Sequence, residues 1–273
     1  AAKAPNATGI IDSHRTYTYR DYADHVAGAE AKLRHAEFGE GDSVALLLLP
    51  GPAYAFLLMA CFRMGVRVCP INPRFPAPYV LEVLERIRCQ RIIVSDKRAF
   101  NPAYAHLHVF SVGDCTGVPL EPKEGALPIP ENRPATIVLT SGSAGSPKAA
   151  LLSYGNLYHN ALRSNQNIPV CPGDRWLMSL PLYHVAGLGI LFRCTLGGAA
   201  VVFPDAGAAI ETSILQYNLT HVSLVATQLH RLMESPVSIA ILKRLKAILL
   251  GGGPMPESLL RQAHAAGLPL FTS

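Results

Sequence analysis

Short unbroken apolar runs alternate along the chain with longer stretches in which apolar positions recur every third or fourth residue. Tyr19 to Phe38 has helical spacing, with Thr18 as candidate N-cap, Asp21 three residues on and Gly39 at its end. The pattern then predicts strand 43–49, helix 52–64, strand 66–70, a proline-marked helix 78–88 and strand 91–95. That order is βαβαβ, the arrangement of a parallel sheet covered by helices.

Between Val112 and Pro134 the alternation lapses, with five prolines and three glycines and few apolar residues in register. It reads as a linker or surface loop. Afterwards come strand 135–140, a Gly/Ser loop, a short strand 149–152, a helix from Ser153, strand 176–179, helix 186–196 and strand 199–203. Helix 208–217, strand 221–225, helix 228–234, strand 246–250, helix 256–266 and a last strand over 268–272 follow. The expected fold class is α/β, with two βαβ-type subdomains of mostly parallel sheet flanked by helices. Residues 1–133 would form the first, ending in the Pro-rich linker, and residues 134–273 the second. A start at Ala1 without Met and a stop inside a strand lead us to expect a piece of a longer protein, its second subdomain truncated at the C-terminal end.

Val44 to Phe62 carries no charge over 19 residues, about the length of a bilayer span. Pro50, Gly51 and Pro52 interrupt it, so a buried strand followed by a helix is the better reading. Only 16% of residues are charged, 49% are hydrophobic and the mean hydropathy is +0.23, which excludes disorder. The formal net charge of +5 is small and dispersed, with no basic stripe for nucleic acid, and suits small anionic ligands. Six scattered cysteines without C-x-x-C read as reduced thiols of a cytoplasmic protein.

The segment richest in chemistry is TSGSAGSPK, Thr140 to Lys148, directly after the apolar ATIVL. Its hydroxyls, glycines and lysine form either a phosphate-binding loop, with backbone N–H groups converging on oxygens, or an ordinary Ser/Gly surface turn. It is not a Walker loop, because Ser146 and Pro147 separate Gly145 from Lys148. No G-x-S-x-G is present, which argues against a nucleophile elbow. A Ser-Lys amidase built on Ser141, Ser143 and Lys148 suits the lysine's place after Pro147 less well. No spacing suggests zinc.

His184, between apolar residues, is either a satisfied core histidine or a pocket residue in the loop after Pro181. Arg193 lies inside VAGLGILFRCTLGGAAVVF with no charged neighbour. Either its head snorkels to solvent, or it points inward and faces an anion, for which a carboxylate suits the planar fork.

The string TSGSAGSPK resembles the phosphate-loop signature of the adenylate-forming enzymes, S/T-S/T-G-S/T-S/T-G-x-P-K, a family of acyl-CoA synthetases, peptide-synthetase adenylation domains and luciferases. Ala144 alone departs, standing where the family has Thr or Ser. Two further segments follow in family order: SLPLYHVAGL resembles P-L-F/Y-H-x-x-G, and LLGGGPMP, Leu249 to Pro256, resembles the Gly-rich strand end that lines adenine and acyl group. The resemblance spans the whole chain and corresponds to the first two subdomains of the family's large N-terminal domain.

It implies that Thr140, Ser141, Gly142, Ser143, Gly145 and Lys148 hold ATP phosphates, with Thr140 toward magnesium, and that Gly251, Gly252, Gly253 and Pro254 line the nucleotide. His184 and Lys148 would be the catalytic residues, His184 near the acyl pocket and phosphates. The segments PKAA, SLPLYHVAGLGILFR, HVSLVATQLHRL and LKAILLGGGPMP look like the o-succinylbenzoate–CoA ligases of menaquinone biosynthesis. Their acid carries two carboxylates and only one is activated, so Arg193 becomes the candidate partner of the other. Thr227 and Gln228 either line the aryl pocket or, at Thr227, simply cap a helix.

The implied cofactors and co-substrates are ATP, Mg2+ and coenzyme A, and the small-molecule partner is a carboxylic acid, with no nucleic acid or transmembrane segment. A homodimer is an expectation of the family alone. The family's later Y-G-x-T-E motif, ribose-binding Asp, hinge and C-terminal domain with its lysine are not in the 273 residues, so this piece alone is expected to be inactive. Competing expectations are a ligase for a medium- or long-chain fatty acid or another aryl acid, or a non-catalytic nucleotide- or acyl-binding module.

Overall fold

A computed structural model describes residues 4–96, 101–118, 120–121, 128–140, 148–253 and 255–273. Strands β1 (Thr8–Ile11) and β2 (Thr16–Thr18) lead into helix α1 (Tyr19–His35). Next come β3 (Ser43–Leu47), α2 (Pro52–Met64), β4 (Arg67–Pro70), α3 (Ala77–Arg86), β5 (Arg91–Val94), β6 (His108–Ser111) and the single turn α4 (Val112–Cys115). The chain continues through β7 (Pro134–Thr140), β8 (Lys148–Ser153), α5 (Tyr154–Asn167), β9 (Arg175–Leu177), α6 (Val185–Gly197) and β10 (Ala200–Val202). It then forms α7 (Ile210–Gln216), β11 (His221–Leu224), α8 (Ala226–Met233), α9 (Pro236–Leu242), β12 (Ala247–Leu250), α10 (Glu257–Ala265) and β13 (Leu270–Thr272).

The fold is α/β, with two mostly parallel sheets flanked by helices. One has the order β6-β5-β3-β4-β7-β8, parallel except for β8, which runs antiparallel to β7. The other has the order β13-β12-β11-β9-β10-β1-β2, antiparallel only between β1 and β2. β3 and β12 are near-continuous apolar runs because helices cover such sheets on both faces, and β11, HVSL, is buried along its whole length although His221 and Ser223 are polar. Ala45, Cys69, Val80, Leu84 and Ile92 belong to the core of the first sheet, and Val202, Ile214, Val222, Leu242 and Ile248 to that of the second.

The charge-free stretch resolves into β3 and α2, broken where expected: Pro52 opens the helix and Gly65 closes it at φ 76, donating to Cys61 O and Phe62 O. Among the described residues no helix is long and apolar enough to cross a membrane.

The expected boundary at residue 134 is not where the compact units divide. One unit comprises Ala1–Tyr19, Ala161–Pro181 and Ala186–Ser273; the other comprises Arg20–Asn160 and Leu182–Val185. The reason is strand pairing. β7 lies parallel to β4, where the Thr136 hydroxyl donates to Val68 O at 3.0 Å, so residues after the Pro-rich stretch complete the first sheet. β1 pairs with β10, and the Tyr19 hydroxyl lies 2.7 Å from the carbonyl oxygens of Cys194 and Ala199, which ties the first residues to the second sheet.

Candidate functional site

In the unit of the six-stranded sheet, Thr140 ends β7 and Lys148 begins β8, and the two are cross-strand partners. Thr140 therefore stands at the C-terminal end of a strand that lies parallel to β4, beside its antiparallel partner β8. Ligands of open α/β sheets gather at such ends, because the backbone groups there have left the ladder. The Thr140 hydroxyl donates to Lys148 O at 3.4 Å, and both residues are exposed. Ser141, Gly142, Ser143 and Gly145 lie outside the described residues, as does Ala144.

His184 is also in this unit, exposed, one residue before α6. Its ring stands edge-on to that of Tyr183, with centroids 4.7 Å apart. Desolvation by surrounding protein lowers its pKa, so the imidazole is neutral at pH 7. The positive end of a helix dipole also disfavours an imidazolium there.

In the other unit the C-terminal ends of β11 and β12 lie side by side, Leu224 opposite Leu250. Gly251 donates its N–H to Leu224 O at 3.2 Å. Gly252 adopts φ 92, a left-handed conformation that favours glycine. At Gly253 a Cβ would meet nothing within 4 Å, whereas one at Gly251 would run into Ser273 Oγ and one at Gly252 would lie 3.2 Å from Val225, so Gly253 is the open position of the run. Pro254 lies outside the described residues. Beside Gly252, α8 begins after Val225, whose N–H donates to Gln228 Oε1 at 3.0 Å. The cap is therefore held by Gln228, and Thr227 is an exposed first-turn residue.

Arg193 points inward: it is 8% exposed and does not snorkel. Its Nε donates to Ser164 Oγ at 2.7 Å, its guanidinium carbon lies 5.6 Å from the Trp176 ring centre, and its carbonyl accepts from Asn165 Nδ2 at 3.0 Å. Neither Nη1 nor Nη2 is hydrogen-bonded to a described residue, and no carboxylate among them pairs with the group. Burial lowers its pKa, with Cys194 opposing.

Sequence reasoning passed over Ser164 and Trp176, which reach Arg193 from α5 and β9. The only signal was that Trp176 is the sole tryptophan of the chain. Trp176 also stacks on the buried His221 at 4.9 Å and donates to Ser223 Oγ at 3.1 Å, so the surface carrying the guanidinium is itself fixed.

Among the described residues no group of three His, Cys, Asp or Glu could hold a metal ion. The Thr140 hydroxyl offers one hard oxygen. That suits magnesium, which keeps waters and binds beside phosphates, rather than an all-protein cage.

A family model described as AMP-binding enzyme matches residues 1–272. The 2-succinylbenzoate–CoA ligase of Bacillus pumilus is 31% identical over 281 residues, covering 98% of this chain and 55% of that protein. The one from Escherichia coli K12 is 35% identical over 232 residues, covering 85% and 48%. Among solved structures, o-succinylbenzoate CoA synthetase (MenE) from Bacillus subtilis in complex with ATP and magnesium ion aligns with a TM-score of 0.84 at 28% identity, covering 97% of this chain and 56% of that one. The same enzyme with the acyl-adenylate intermediate OSB-AMP gives 0.85 at 26%, covering 99% and 71%. The chain spans about half the length of the curated relatives it matches.

Proposed function

Because the chain belongs to the AMP-binding enzyme family, we propose that the whole protein is an ATP-dependent, AMP-forming acid–CoA ligase that acts on o-succinylbenzoate. A substrate carboxylate oxygen attacks the α-phosphorus of ATP, pyrophosphate leaves, and an acyl-adenylate forms. The thiol of coenzyme A then attacks the acyl carbon, loses its proton and expels AMP. The protein's share is alignment and charge stabilisation rather than covalent chemistry.

Thr140, Ser141, Gly142, Ser143, Gly145 and Lys148 hold the phosphates, Lys148 contributing the charge that the leaving pyrophosphate needs. Magnesium, when bound, offsets phosphate charge, and Thr140 is the described residue that offers it an oxygen. The neutral imidazole of His184 donates a hydrogen bond toward the α-phosphate or the acid. Gly251, Gly252, Gly253 and Pro254 line the nucleotide. Thr227 and Gln228 line the aryl pocket, Gln228 through the amide NH2 that its cap bond leaves free. Free cysteines, five of them buried, suit a reducing cytoplasm.

The observation that carries the choice of acid is the inward guanidinium of Arg193, with two nitrogens uncommitted to any described residue, since a dicarboxylic acid leaves one carboxylate to bind. Acid-dependent ATP–pyrophosphate exchange by the full-length protein tests the reading, comparing o-succinylbenzoate with benzoate, a medium-chain fatty acid and acetate. Exchange confined to o-succinylbenzoate supports it. Exchange driven by one of the other three acids keeps adenylation and discards the substrate, and exchange with none of the four refutes o-succinylbenzoate as the acid.

A further inference from the structure

Helix α6 keeps three glycines, Gly187, Gly189 and Gly197, where alanine is the better helix former. Two are explained by backbone packing. A Cβ at Gly187 would run into the carbonyl oxygens of Pro181 and Leu180, and one at Gly197 would lie 2.5 Å from Val170 O. Gly189 is different: the three atoms nearest its Cβ position all belong to Arg193, with Nη1 at 3.2 Å and Cζ and Nη2 at 3.4 Å. Helical side chains lean toward the N-terminus, so the arginine lies back over the preceding turn, into the space that glycine leaves.

The guanidinium is not free to drift aside. Ser164 Oγ holds Nε at 2.7 Å and the Trp176 ring lies beneath it at 5.6 Å. A methyl group at residue 189 would therefore shift the fork by a few tenths of an ångström against two tethers.

We propose that Gly189 is a specificity-determining positioning residue: its missing side chain sets where the Arg193 fork is presented, and so how strongly a dicarboxylic acid is preferred over a monocarboxylic one. The inference rests on the reading of Arg193 as partner of the substrate's second carboxylate. It concerns how that residue is aimed, not whether it binds.

The test is ATP–pyrophosphate exchange by the full-length protein with o-succinylbenzoate and with its two monocarboxylic analogues, 4-oxo-4-phenylbutanoate and 2-butanoylbenzoate. The proteins are wild type, Gly189→Ala, Gly189→Val, Arg193→Met and the double variant Gly189→Ala/Arg193→Met. Gly189→Ala should raise KM for o-succinylbenzoate about fivefold, and Gly189→Val more, the range expected for sub-ångström misplacement of a binding group. Both should leave kcat with the saturating diacid and kcat/KM with the monoacids unchanged. In the Arg193→Met background Gly189→Ala should add nothing.

Equal losses on diacid and monoacids, or a loss undiminished in the Arg193→Met background, would mean that the glycine serves packing and would overturn the proposal. If Arg193→Met abolishes discrimination and Gly189→Ala preserves it, the proposal alone fails. If Arg193→Met leaves discrimination intact, the reading of Arg193 falls and takes the proposal with it.

Discussion

Replacing Arg193 by methionine should make the unliganded protein more stable and its complex with a diacid less so. The side chain is 8% exposed and no carboxylate among the described residues offsets its charge. Desolvating such an ion costs about 4 kcal/mol after relaxation. The charged hydrogen bond to Ser164 at 2.7 Å returns about 2 kcal/mol. Contact with the Trp176 ring at 5.6 Å returns about 1 kcal/mol more. About 1 kcal/mol stands against the native residue, and methionine keeps a long apolar stem without the charge, so the melting temperature of the full-length protein should rise by about 1 °C. A saturating diacid should invert the order, because a charge-assisted contact of about 2 kcal/mol exists only in the wild type and appears as ligand-linked stabilisation. Calorimetry of both full-length proteins, with and without o-succinylbenzoate, checks both halves. An unliganded variant melting lower than wild type, or one gaining as much from the acid as wild type, would show that the guanidinium is there for structure and not for substrate.

Lys148→Ala should slow adenylation on the order of a hundredfold with an unchanged melting temperature, since the side chain is exposed and its proposed role is charge at the leaving group; an unchanged exchange rate would remove the lysine from the mechanism. Gly187→Ala should destabilise by about 2 kcal/mol, because its methyl meets the carbonyls of Pro181 and Leu180, and a melting temperature equal to wild type would contradict that packing. His221 is 1% exposed, and burial pushes its pKa down despite the upward pull of Asp174. The unfolded chain, with a histidine pKa of about 6.5, therefore binds the extra proton first. Stability from this residue is whole above that pH and is lost as pH falls toward the lower folded value. Melting temperatures should thus fall more steeply below about pH 6.5 in wild type than in His221→Phe, and parallel curves would sink the assignment.

Helix α2 was legible to the residue, since Pro52 and Gly65 punctuate both ends with chemistry that only those residues supply. Helix α1 was read three residues too long, to Phe38 before Gly39. Glu37 itself takes the left-handed turn at φ 59, and Phe38 N–H closes back on Leu33 O. β1, β2, β6 and α9, three to seven residues long, are elements that the pattern of the sequence does not predict. The division into units was not readable either, because parallel pairing joins strands distant in sequence, and composition along the chain carries no record of which edge a strand joins.

The site divides in the same way. Thr140 and Gly251 were readable because one ends and the other directly follows an apolar strand, where a run of Gly and Ser or of Gly alone stands out against the hydrophobic residues before it. Arg193 was readable for the opposite reason, as a charge where the pattern demands none. What holds Arg193 was not: Ser164 and Trp176 come from α5 and β9, and Gly189 was one glycine among many. A residue that acts by lacking a side chain leaves no signal until the group filling its space is known. The chemistry of a site is thus written in residues that break the local pattern, whereas its aim is written in residues that obey it, and only the folded chain separates Gly189 from its packing neighbours Gly187 and Gly197.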